Sequence, residues 1–147
     1  EAPGPRHRRE HPVSVLDEIG TYLAANVTNV TLTLGTNLFL GRLPDDPDTC
    51  VALHETGGTF PIDTMSNNTG PVIEQPTVQT LIRASGYSTG RALAKDVFDQ
   101  MNLVTNEDLS STRYERIEAI QSPFPILRDS QDRAVFSINF ACQKSVS

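Results

Sequence analysis

The sequence predicts an α+β fold: one small domain with a mostly antiparallel sheet and two helices packed on one face. Three observations predict it. The chain of 147 residues is one ordinary domain in length. Only two segments carry helical spacing. The remaining apolar runs alternate and follow one another directly, strand upon strand, rather than alternating with helices as in a parallel sheet.

Residues 1–12 read as a Pro-rich arm, with Pro3, Pro5 and Pro12 bracketing the bases Arg6, Arg8 and Arg9. Such a segment buries little by itself. Residues 13–147 form the folded domain. Its first helix opens at Ser14, with Asp17 three residues later as the second half of a capping box. Leu16, Ile19 and Leu23 fall on one face, flanked by Val15 and Tyr22. A β-like run covers Val30 to Leu34, and a second apolar run covers Asn37 to Leu43 before Pro44 stops it. Cys50 to His54 reads as a buried strand. Glu55 to Gly70 then reads as a long loop, marked by Gly57-Gly58 and Asn67-Asn68-Thr69-Gly70. Loops of that length in compact domains are often functional.

Thr77 to Arg83 is the next strand. Ser88 is the expected cap of the second helix, along which Leu93, Val97 and Met101 recur every four residues beside Ala94 and Phe98. Arg113 to Ile120 alternates, with Ile117 and Ala119 on one face. Val135 to Cys142 alternates most cleanly, with Phe136, Ile138, Phe140 and Cys142 against Ser137 and Asn139. Residues 128–133 form the turn before it.

Charge narrows the function. Residues 1–42 and 83–147 each balance acids against bases. The whole net charge of -6 therefore lies in residues 43–82, where Asp45, Asp46, Asp48, Glu55, Asp63 and Glu74 stand without a lysine or arginine. An acidic surface repels nucleic-acid phosphates, which argues against tight DNA binding. No apolar run approaches the roughly 18 residues of a membrane span, and no segment near the start resembles a signal peptide. Cys50 and Cys142 lack the spacing of a zinc or redox motif; buried free thiols are the default reading, and the sequence leaves a disulfide between them open.

Catalytic motifs fail one by one. His7-Arg8-Arg9-Glu10-His11 matches an inverted zinc-protease signature, but Pro12 follows it directly and no stable helix can present both histidines. Asn26, Asn29 and Asn67 head N-x-Ser/Thr sequons, which matter only to a secreted glycoprotein. His54 has neither a nucleophile-elbow motif nor a catalytic cysteine to serve. Gly86-Tyr87-Ser88-Thr89-Gly90 lacks the glycine spacing and lysine of a phosphate loop. The expectation is therefore no enzyme, no metal, no cofactor and no membrane.

Three blocks carry a resemblance. They are Gly35-Thr36-Asn37-Leu38-Phe39-Leu40-Gly41-Arg42-Leu43-Pro44-Asp45-Asp46-Pro47-Asp48, running on to Ala52-Leu53-His54-Glu55-Thr56-Gly57-Gly58, then Gln75 to Arg83, and finally Glu118-Ala119-Ile120-Gln121-Ser122-Pro123-Phe124. In this order and spacing, residues 15–142 resemble the minor capsid or tail terminator (tail completion) proteins of long-tailed bacteriophages. The arm and residues 26–34 depart from that pattern.

The resemblance implies a structural virion protein at the tail–head interface, or neck, assembled in the bacterial host cytoplasm. It would form a ring of copies of itself, usually a hexamer, on the head-proximal end of the tail tube. The ring would stop tube polymerisation and dock the head's completion, stopper or connector protein. DNA would pass through its lumen without sequence-specific binding. On that reading Asp45, Asp46, Asp48, Glu55 and Asp63 are expected to face the lumen or a partner, and Arg6, Arg8 and Arg9 to form an assembly arm. Another neck or tail protein of the same phage module is the nearest alternative, and a secreted glycoprotein binding module a more distant one.

Overall fold

A computed structural model describes residues 14–62 and 73–145. The arm lies outside the described residues, and so do Asp63 and the Asn67 sequon. Ser14 caps helix α1 (Val15–Asn26) as expected: its hydroxyl accepts from the Asp17 amide, and the Asp17 carboxylate accepts from the Ser14 amide. Val15, Leu16, Ile19, Tyr22 and Leu23 are buried.

The strands are β1 (Leu38–Leu40), β2 (Cys50–Ile62), β3 (Ile73–Ala84), β4 (Thr105–Leu109), β5 (Thr112–Ala119), β6 (Phe124–Arg128) and β7 (Ala134–Ser145). Helix α2 (Tyr87–Asn102) lies between β3 and β4. They form one sheet in the order β1-β2-β3-β7-β5-β4, with β6 also on β7. Among the described strands only β1 and β2 pair in parallel. Strand β7 organises the sheet. It pairs along its length with β3 on one side. On the other side it pairs with β5 at residues 140–144 and with β6 at residues 134–137.

Both helices cover the same face. Val51 and Leu53 of β2, Val78 and Ile82 of β3, and Phe136, Ile138 and Phe140 of β7 are aligned by the register and fully buried. Helix α1 meets this face at Leu53, which lies 3.8 Å from where a Cβ on Gly20 would stand. Helix α2 meets it at Phe136: a Cβ on Gly90 would stand 2.7 Å from the ring. Gly90→Val is therefore expected to overpack the α2–sheet contact and destabilise the domain by about 1–3 kcal/mol, read as a lowered urea midpoint.

The sequence expectations fail at four places. Val30 to Leu34 is not a strand: residues 28–31 turn, and Leu34 makes only a single bridge to Leu38. Side chains outside the run, those of Asp96 and Asn37, take up backbone amides in and just before it in place of a ladder. The Thr28 and Asn29 amides donate to Asp96 at 3.0 and 2.8 Å, and Asn37 accepts from the Thr33 amide at 2.7 Å. Second, Glu55 does not begin a loop, because β2 continues to Ile62. Gly57 and Gly58, at φ +97° and +140°, make a bulge there rather than an ending. Third, α2 starts after Gly86, with no side-chain cap; Ser88 already lies inside the helix. Fourth, β4 and β6 went unread. Strand β4 is almost wholly exposed and polar, and a two-residue turn fixes it: Leu109 pairs with Thr112 across Ser110 and Ser111, both at positive φ.

Candidate functional site: an acidic loop clamped by two arginines

The connection between β1 and β2 carries Asp45, Asp46 and Asp48. Arg83 of β3 and Arg133, just before β7, reach it from the sheet, with only 2% and 5% of their surface exposed. Arg83 donates to the carbonyl of Pro47 at 2.6 Å and to that of Asp48 at 3.3 Å. Arg133 donates to the carbonyl of Asp45 at 2.5 Å, to the Asp48 carboxylate at 3.1 Å and to Asp129 at 2.8 Å. The apparently base-free acidic segment is thus held by two bases distant in sequence. Hydrogen bonds from the Arg133 backbone and guanidinium hold the Asp129 carboxyl below the usual carboxylate range.

The clamp grips backbone and leaves two carboxylates outside. Asp45 and Asp46 are exposed, and neither has an ion pair among the described residues. Asp48 is committed to Arg133. Glu55 is also exposed but is carried away along β2. Three of the five expected acids therefore come together, Glu55 does not, and Asp63 lies outside the described residues. The clamping arginines were missed by sequence reasoning. Their one signal is a charge inside or beside an apolar run, Leu81-Ile82-Arg83-Ala84 and Arg133-Ala134-Val135.

A second constellation is internal. Glu18 of α1 is fully buried. Its carboxylate accepts from Tyr114 at 2.6 Å, from Lys144 at 3.0 Å and from the Thr112 hydroxyl. Lys144 also lies 5.6 Å from the centre of the Tyr114 ring. Burial and the bond to Glu18 push the Tyr114 phenol up. The three partners of Glu18 are all buried, so this network joins α1 to β5 and β7.

A third feature lies on the helix side. Tyr87, Ala92 and Phe98 of α2 and Pro123 of the β5–β6 bend wall a groove of about 460 Å³, rimmed by Arg91 and Lys95. Arg91 donates to the Pro123 carbonyl at 2.9 Å, and Tyr87 stays 52% exposed.

No reaction centre is assembled by these residues. The shielded Nδ1 of His54 has no hydrogen-bond partner among the described residues. Cys50 and Cys142 are buried free thiols. Burial pushes both thiols up, Cys142 to about 12 despite Lys144 nearby, so neither is a ready nucleophile. Among the described residues no group of three His, Cys, Asp or Glu could hold a metal, and no helix is long and apolar enough to cross a membrane.

The described residues thus form a small α+β domain with a clamped acidic loop on one side and an apolar groove beside α2. The family model described as bacteriophage tail terminator protein matches residues 24–146, and the chain belongs to that family. It is accordingly a structural protein of the phage virion that associates with other tail components. Among solved structures, the chain is similar to one from the virion of a native gene transfer agent particle. The two share 20% identity at a TM-score of 0.59, over 90% of this chain and 96% of the other. That likeness concerns the fold. No curated protein matches the chain.

Proposed function

We propose that copies of this chain close into a ring, six by the usual number for such proteins, at the head-proximal end of the tail tube. The ring ends tube polymerisation and presents a docking surface to the head's completion or connector protein. DNA passes through its lumen without sequence-specific binding. The observation that carries this reading is the family match over residues 24–146. The surfaces support it. A ring subunit needs heterologous contacts that close, with distinct end faces for two partners. The exposed carboxylates of Asp45, Asp46 and Glu55, and that of Asp63, are offered to partners, and Arg6, Arg8 and Arg9 serve as an assembly arm. Assembly takes place in the host cytoplasm.

The test is mass photometry with negative-stain microscopy of the purified protein, followed by its addition to growing tail tubes. A closed ring near six times 16.1 kDa, or protein on tube tips that fixes their length, is the expected result. Protein that neither forms rings nor limits tubes would reject the reading.

A further inference from the structure

If copies of this chain form a ring, some surface must join them, and the two end strands of the main path, β1 and β4, are poorly suited to strand addition. Strand β1 is only three residues long. Strand β4 is blunted: Asn106 sits at φ +49°, and its carbonyl accepts from Arg113, which also pairs with Asp108 at 3.1 Å. Charged and distorted edges of this kind resist strand addition. Side-chain surfaces offer another route.

Two such surfaces complement each other. The acidic loop is a preorganised knob, because Arg83 and Arg133 fix its carbonyls, while the exposed Asp45 and Asp46 carboxylates have no ion pair among the described residues. Fixing a loop in advance lowers the entropic cost of docking it. The α2 groove offers the opposite charge on an apolar wall. Arg91 is held over it by Pro123 yet has no carboxylate partner among the described residues. Among the described residues Lys95 pairs with the exposed Asp99 alone, at 2.9 Å with side chains 73% and 50% exposed, a pairing worth little in water. Knob and groove are built from different residues, the β1–β2 connection and the α2 face with Pro123, so one copy can use both at once. A contact between two different patches repeats head to tail, which is the geometry that generates rings.

We propose that the Pro44–Pro47 tip of one copy seats in the α2 groove of the next, with Asp45 and Asp46 on Arg91 and Lys95. This rests on the ring reading and names its subunit contact. The test uses two charge-reversed variants, Asp45→Lys/Asp46→Lys and Arg91→Asp/Lys95→Asp, and the protein carrying all four changes. Like charges across a docked contact cost several kcal/mol. Each two-site variant should therefore lose ring formation, or seating on tube tips, by about tenfold or more. The four-site protein, and an equimolar mixture of the two variants, should recover it. Circular dichroism melts report folding, and the loop variant alters only exposed residues. Rings that persist at wild-type level in both folded variants would overturn the contact while leaving the ring intact. So would folded variants that no charge swap rescues. A wild-type protein that forms no ring and ignores tube tips would instead remove the ring reading beneath it.

Discussion

Replacing Glu18 with leucine is expected to cost about 3–5 kcal/mol, the largest loss of any single substitution considered for this chain. The reason is what remains behind. Lys144 has a side chain only 4% exposed, and Glu18 is its partner at 3.0 Å. Its other carboxylate, Glu74, is 3.9 Å away and 42% exposed. The Tyr114 and Thr112 hydroxyls would also lose their acceptor. An uncompensated buried ammonium and two orphaned hydroxyls outweigh the apolar area that leucine adds. Urea unfolding at constant slope measures the loss. The double variant Glu18→Leu/Lys144→Met separates this account from simple misfit. If the cost is an unpaired charge, removing the lysine should return more than half of it, whereas bad packing would survive the second change. Adding Tyr114→Phe should return part of the rest.

The same network shows why sequence reading stopped where it did. The helices and the closing strand were legible because their apolar periods are local: Leu16, Ile19 and Leu23, then Leu93, Val97 and Met101, then the alternation Phe136 to Cys142, all buried as expected. The Ser14–Asp17 box was legible because both halves sit within one turn. Glu18 was not, since its partners lie 94, 96 and 126 residues away. On the sequence it is an acid in the first turn of a helix, well explained by the helix dipole alone. Strand β4 was illegible for a different reason. Its residues are polar because no neighbour covers them, and only Leu109 is buried. What makes it a strand is pairing with β5 across a tight turn, and Ser-Ser is a weak signal for that turn compared with Asn-Gly. Gly57-Gly58 misled in the opposite direction. Two glycines read as a break in the chain, but here they let β2 pass within 2.2 Å of the Gln75 carbonyl, measured from a Cβ that Gly58 lacks. The acidic loop was located correctly, yet its charges were read as bare because the clamping arginines are 35 to 88 residues distant.

That clamp gives the second large expected effect. Changing Arg83 and Arg133 together to methionine keeps two long side chains at the sheet but removes every donor that holds the carbonyls of Asp45, Pro47 and Asp48. Hydrogen exchange along residues 43–50 should then rise by about tenfold or more, with β7 protection changed far less, because the loop opens locally rather than with the whole domain. Acid should expose the same clamp in the unaltered protein. Asp129 has a depressed carboxyl in the folded state, so its contribution is fully present above the ordinary carboxylate range. It is lost as pH falls through the lower folded value. The fall in stability below about pH 4 should be shallower in the double variant, where only the backbone half of the Arg133–Asp129 contact survives. Assembly should suffer more than stability. If the loop docks as a preorganised knob in the proposed ring, loosening it adds the ordering cost to every subunit contact. Rings should dissociate, and tubes should grow past their normal length, under conditions where the monomer is still folded. Faster exchange in the loop together with undiminished rings would show that its order serves the fold alone.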